Sequence, residues 1–115
     1  MQDYSQQYLR DRFDPKVRAE LAELHTVSAL SKSDRATVEL DQQSIGRVSR
    51  IDSLQVQAMA QAAEARRLAR IRQLEFTLAR LQDEEFGYCV ECGEFIGIAR
   101  LDIDPAALRC VGCAR

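Results

Sequence analysis

Two cysteine pairs near the C-terminus, Cys89-x2-Cys92 and Cys110-x2-Cys113, constrain this chain more than any other feature. Two thiolates in one tight turn can reach a single metal ion from adjacent backbone. A second such turn completes a tetrahedral set of four sulfurs, which suits zinc. Gly93 follows the first pair and Gly112 lies inside the second, and both are expected to ease the tight backbone of each turn. Two disulfides, or a redox dithiol without metal, would use the same residues. A closed four-sulfur site leaves no thiol for nucleophilic catalysis and no open coordination position, so the expected role of the zinc is structural.

Everything N-terminal to the pairs reads as helix. The chain has 115 residues, no tryptophan and 6% aromatics, while 30% of it is charged. Long exposed helical faces and a thin core follow, and a thin core needs a staple. Residues 1–13 carry Tyr4, Tyr8, Leu9 and Phe13. Asp14-Pro15 predicts a helix start, with aspartate as cap and proline at the first helical position. Val17, Leu21, Leu24 and Ser28 then form one seam. Ser31 to Asp34 weakens the helix. From Ile51 to Glu85 no glycine or proline occurs, which predicts one helix of about 50 Å. Its seam is expected at Leu54, Ala58, Ala65 and Leu68, continued by Ile71, Leu74, Leu78 and Leu81. The two helices are expected to fold back antiparallel across a loop within residues 31–50. To cover the long stripe, the first helix must extend either backwards past Pro15 or forwards into residues 34–44, where Val38 and Ile45 keep the heptad.

The resulting expectation is a mostly α chain: an antiparallel helical hairpin (a coiled coil) over residues 1–86 and a four-cysteine zinc finger over 87–115. Within the finger, Phe95, Ile96, Ile98, Leu101 and Ile103 would build a small core of short strands or turns. Asp104-Pro105 would start a turn, and Ala106 to Arg109 a brief helix.

Charge excludes some functions. Net charge is −2, from 16 basic and 18 acidic residues, and no basic stripe of the kind that duplex DNA binding requires stands out. Arg66, Arg67, Arg70 and Arg72 cluster on the long helix, where a solvated face is the plainer explanation. His25 is the single histidine and is expected on the surface or in the seam. No phosphate loop, dinucleotide fingerprint, nucleophile elbow or HExxH motif occurs, so no enzyme activity is expected. Met1 to Arg10 contain no apolar signal core, and no run could span a membrane. A cytoplasmic protein is expected.

Gly87-Tyr88-Cys89-Val90-Glu91-Cys92-Gly93-Glu94, Ile96-Gly97-Ile98-Ala99-Arg100-Leu101, Pro105 and Cys110-Val111-Gly112-Cys113 resemble the DksA/TraR family zinc finger. The lead-in Leu78 to Phe86 is similar as well, and residues 38–60 resemble a short DksA-like branch. The resemblance implies a bacterial transcription regulator that binds RNA polymerase rather than promoter DNA. Its hairpin would enter the secondary channel and modulate initiation. Partner contact at the hairpin tip would then fall to Asp41, Arg47, Arg50 and Asp52. Well-studied members carry two acidic residues at the tip. Here Ser49 to Leu54 holds only Asp52, with Asp41 as the alternative carboxylate. The family's basic residues for guanosine tetraphosphate correspond to Asp104 and Ala114, which implies weak or absent binding of that nucleotide. A zinc-ribbon adaptor or nucleic-acid-binding protein with a different target is the alternative, resting on the arginine cluster. A thiol sensor that releases zinc on oxidation is a third reading.

Overall fold

The computed structural model describes residues 4–35 and 47–114, with side chains from residue 51 onward in the second stretch and without those of residues 33 and 34. Four helices follow in order: α1 (Gln6–Leu30), α2 (Lys32–Arg35), α3 (Arg47–Gln82) and α4 (Ile98–Ile103). Arg10 faces Glu84 just past α3, and Ser28 faces Glu64. The fold is therefore mostly α, an antiparallel helical hairpin carrying the four-cysteine finger. No helix among the described residues is long and apolar enough to cross a membrane.

Asp14-Pro15 does not start a helix. α1 begins at Gln6 and carries Pro15 inside it. An interior proline removes one backbone hydrogen bond and costs about 3 kcal/mol. Leu9 and Phe13 outweigh this, since both are fully buried and each such side chain contributes about 1.5–3 kcal/mol. Of the two ways to cover the long helix, α1 takes the backward extension. It stops at Leu30, where Ser31 forms the turn into α2. The forward alternative, with Val38 and Ile45, lies outside the described residues, as does Asp41. α3 begins four residues earlier than expected and ends three earlier.

The chain divides into two compact units. The first comprises Met1–Ala22 and Ile71–Arg115. Its core joins Leu9, Phe13, Leu81, Phe86, Cys89, Ile96 and Leu101. Val17, Leu21, Ile71 and Leu74 are also buried. Phe13 meets Phe86 with ring centroids 5.1 Å apart, a favourable tilted pair. Thr77 is buried on the same face, and its hydroxyl donates to the Gln73 carbonyl at 2.9 Å.

The second unit, Glu23–Arg70, is built on a different seam from the expected one. Leu54, Ala58, Ala65 and Leu68 are exposed; Ser53, Gln57, Ala60, Glu64 and Arg67 are buried or half-buried instead. Those inward positions are the 3-4 spacing of Ile71, Leu74, Leu78 and Leu81 continued backwards along α3. Opposite them beyond Leu24 stand Ser28 of α1 and Ser31 of the turn, which offer hydroxyls rather than methyl groups. The seam is consequently hydrogen-bonded here and not apolar. His25 is exposed.

α3 ends in a left-handed turn. Glu84 has φ 62°, and the Glu85 amide reaches back to the Arg80 carbonyl at 3.0 Å. Glycine is the usual occupant of such a position. Glu84→Gly is expected to stabilise the protein by about 0.5–1 kcal/mol, because the ion pair it gives up is a loose 3.8 Å contact with Arg10. A thermal melt checks this; a lowered midpoint contradicts it.

Candidate metal centre

The chain leaving α3 is gripped before it reaches the first cysteine. Arg80 is buried, and its Nη2 donates to the carbonyls of Glu85 and Tyr88, both at 2.8 Å. Gly87 follows at φ 95°, where an added Cβ would stand 2.9 Å from the Phe95 ring. A side chain there would collide with the residue that returns antiparallel to Tyr88. The Ile96 amide donates to the Gly87 carbonyl at 2.7 Å, and the Cys89 amide to the Glu94 carbonyl at 2.8 Å. The core of short strands therefore reduces to one isolated bridge, Tyr88 to Phe95.

Two similar turns hold the thiols. In the first, the Gly93 amide donates to the Cys89 carbonyl at 3.0 Å, with Gly93 at φ 77°. In the second, the Cys113 and Ala114 amides donate to the Cys110 carbonyl at 3.1 and 2.9 Å. Gly93 needs its glycine for that φ. Gly112 has no such requirement, since its φ is ordinary and an added Cβ would only touch the Cys110 sulfur at 3.9 Å. The turns are tied together where the Val90 amide meets the Leu108 carbonyl at 2.8 Å and Arg109 meets Glu91 at 2.7 Å. Asp104 does start a turn, its carboxylate accepting the Ala106 amide at 3.0 Å. The helix of the finger is α4, however, and Ala106 to Arg109 are not helical. Pro105 cannot extend the preceding hydrogen-bond ladder, and Leu101 anchors α4 by complete burial.

The sulfurs of Cys89, Cys92, Cys110 and Cys113 all lie within 4.8 Å of one another, and those of Cys92 and Cys110 are 3.7 Å apart. Four sulfurs at about 2.3 Å from one zinc ion would be spaced about 3.8 Å apart, so the cluster has the right size. Its electrostatics point the same way. Backbone amides of Cys92 and then Cys110 pull the Cys89 thiol down to about 6. Crowding by Cys110 first, then Cys89 and Cys92, pushes Cys113 up. The Glu94 amide favours the Cys92 thiolate, but burial and the neighbouring thiols outweigh it and Cys92 also rises. Four adjacent thiols cannot all ionise unaided, and a dication removes that conflict.

One contact that composition alone missed joins α4 to α1. Asp102 takes a two-pronged bond from Arg12, at 3.0 Å to Nε and 2.6 Å to Nη2, with Lys16 at 3.4 Å. The hydrogen bond from Arg12 holds the Asp102 carboxyl below its ordinary range. No spacing rule connects residues so far apart in sequence. Arg80 was missed as well; the signal that could have found it is its place beside Leu81, at the edge of the inward register, where a charged residue needs a partner.

The remaining candidates lie apart from this centre. Asp52 is exposed near the start of α3. Arg47 and Arg50 belong to the first turn of α3, with side chains outside the described residues. The arginine cluster is split: Arg66 and Arg72 are exposed, whereas Arg67 turns inward to Glu64 at 2.6 Å.

Comparison with known families decides the class of the finger. Residues 84–115 match the prokaryotic dksA/traR C4-type zinc finger. This C-terminal segment resembles a DksA/TraR zinc finger. The cofactor of this DksA/TraR finger is a structural zinc ion, in keeping with the four clustered thiols. The RNA polymerase-binding transcription factors DksA of Salmonella typhimurium and of Escherichia coli K12 are each 49% identical over 43 residues, which is 37% of this chain. The corresponding Haemophilus influenzae protein is 46% identical over the same length. The match spans 28% of the Salmonella and Escherichia relatives. The solved structure of transcription factor DksA2 from Pseudomonas aeruginosa matches 95% of this chain and 79% of its own, with TM-score 0.69 and 21% identity. The DksA-like fold therefore extends well beyond the finger.

Proposed function

We propose that this chain binds bacterial RNA polymerase, enters its secondary channel with the helical pair and modulates initiation. In this reading residues 1–86 form the arm and 87–115 the finger. Cys89, Cys92, Cys110 and Cys113 are the four zinc ligands. Asp41, Arg47, Arg50 and Asp52 make the contacts at the tip. One observation carries the proposal: a DksA/TraR finger closes the base of an antiparallel helical pair, the arrangement shared with DksA2. A slender helical pair reaches a narrow channel that a globule cannot, and a net charge of −2 suits a protein partner better than DNA. Polymerase binding would place the protein in the bacterial cytoplasm. Guanosine tetraphosphate is expected to bind weakly or not at all, because Asp104 already accepts the Ala106 amide and Ala114 offers no charge.

The test is retention on immobilised RNA polymerase at low salt. The full chain is expected to be retained, a deletion of residues 36–46 to be lost, and Asp52→Asn to bind with a reduced effect on initiation. A full chain that washes through overturns the proposal. The nucleic-acid alternative loses one of its four arginines to Glu64. A salt-sensitive shift of duplex DNA that glutamines at Arg66, Arg70 and Arg72 abolish would restore it.

A further inference from the structure

The second unit buries a carboxylate in the seam between α1 and α3, where its own register calls for an apolar residue. Glu64 is 7% exposed. One of its oxygens accepts the Ser28 hydroxyl at 2.6 Å and meets Arg35 at 3.1 Å; the other accepts Arg67 at 2.6 Å. Arg35 continues the network. It donates to the Ser28 carbonyl at 2.8 Å and to the Ser31 hydroxyl at 3.3 Å. Arg67 also reaches the Ser31 hydroxyl, at 3.4 Å. The five residues come from the end of α1, the turn at Ser31, the end of α2 and the middle of α3. Both carboxylate oxygens are satisfied.

Leu54 and Leu68 are available one position away on α3, yet they stand in solvent at 46% and 43% exposure. Rotating α3 by about 100°, the angle between neighbouring helical positions, would bring both inward and turn Ser53 and Arg67 out. An apolar seam tolerates such slippage and a directional network does not, which is the best-attested use of a buried charge between helices. The network also engages Arg35, four residues beyond the turn, so it fixes how the chain leaves α1.

We infer that Glu64, with Arg35 and Arg67, is a register lock that positions the exit of α1 for partner engagement. The lock sets specificity at the expense of stability. Its positioning role rests on the polymerase-binding proposal, while the lock itself can be tested without it.

The experiment compares the full zinc-loaded chain with two variants. One combines Ser28→Ala, Glu64→Leu and Arg67→Leu; the other is Glu64→Gln, which keeps an acceptor for Ser28 but loses the charge. The apolar variant is expected to retain one zinc and melt at or above the parent. The Ser31 and Arg35 amides, which bond to Val27 and Ser31, are expected to exchange hydrogen about ten-fold faster in it. Glu64→Gln should fall between. Unchanged exchange at both amides in both variants overturns the lock. Where the parent binds polymerase, the apolar variant is expected to bind about ten-fold more weakly despite its higher melting point. Equal binding overturns the positioning role. A parent that does not bind sinks the polymerase proposal, and amide exchange still decides the lock.

Discussion

Removing zinc, or replacing Cys89 with serine, is expected to unfold the finger and loosen the helices at its root. Cys89 is 4% exposed and belongs to the same core as Leu9, Phe13, Leu81 and Leu101. The finger's apolar share of buried surface is small: Ile96, Leu101 and Ala106 supply it, beside Cys89 itself. Structural zinc in comparable small fingers contributes about 10–16 kcal/mol of binding free energy. A whole domain has only about 5–15 kcal/mol of stability. The metal therefore dominates this module. Acid should act in the same direction, since protons compete with zinc for the thiolates and affinity falls as pH falls. Metal analysis is expected to give one zinc per parent chain and markedly less for Cys89→Ser. The near-ultraviolet signal of the Tyr88–Phe95 pair should vanish on chelation. A finger that stays ordered and melts cooperatively after complete chelation would refute the metal's structural role.

Phe13→Ala is expected to cost about 3–5 kcal/mol, which for a chain this size lowers the melting midpoint by well over 10 °C. Phe13 is fully buried, stacks at a tilt on Phe86, and has the cations of Arg12 and Lys16 5.8 Å from its ring centroid. Phe86 leads directly into Gly87 and the first cysteine turn. Truncation leaves a cavity at the place where α1, the end of α3 and the finger meet. Zinc affinity is expected to drop alongside stability, because the metal turns lose part of their support. Val17→Ala, one turn further along, removes a smaller group and should cost less. A Phe13→Ala protein that melts within a few degrees of the parent would show that α1 is not anchored through this side chain.

Part of this architecture was legible without coordinates. In each pair two residues separate the cysteines, and local spacing is enough to define a turn. The inward run Ile71, Leu74, Leu78, Leu81 repeats at helical period and is apolar, so hydrophobicity and geometry agree. The seam of the second unit was misread because they disagree there. Leu54 and Leu68 looked like core residues by composition, but they stand exposed, and Ser28 and Ser31 meet Glu64 and Arg67 across the pair instead. The start of α1 was misplaced for a similar reason. Proline is a local stop signal, whereas the burial that carries the helix past Pro15 comes from Leu81, Phe86 and Leu101, more than sixty residues away in sequence.

Local chemistry, then, was enough to define the cysteine turns, the helical class and the soft point after Leu30. These depend on neighbours within a few residues, whose spacing is written in the chain. Tertiary structure alone decided that α1 begins at Gln6, that Asp102 binds Arg12, and that α3 turns a carboxylate rather than leucines toward its partner. Each of those is a contest between a modest local preference and the burial or pairing of a distant group. The outcome depends on which side chains the folded chain brings together.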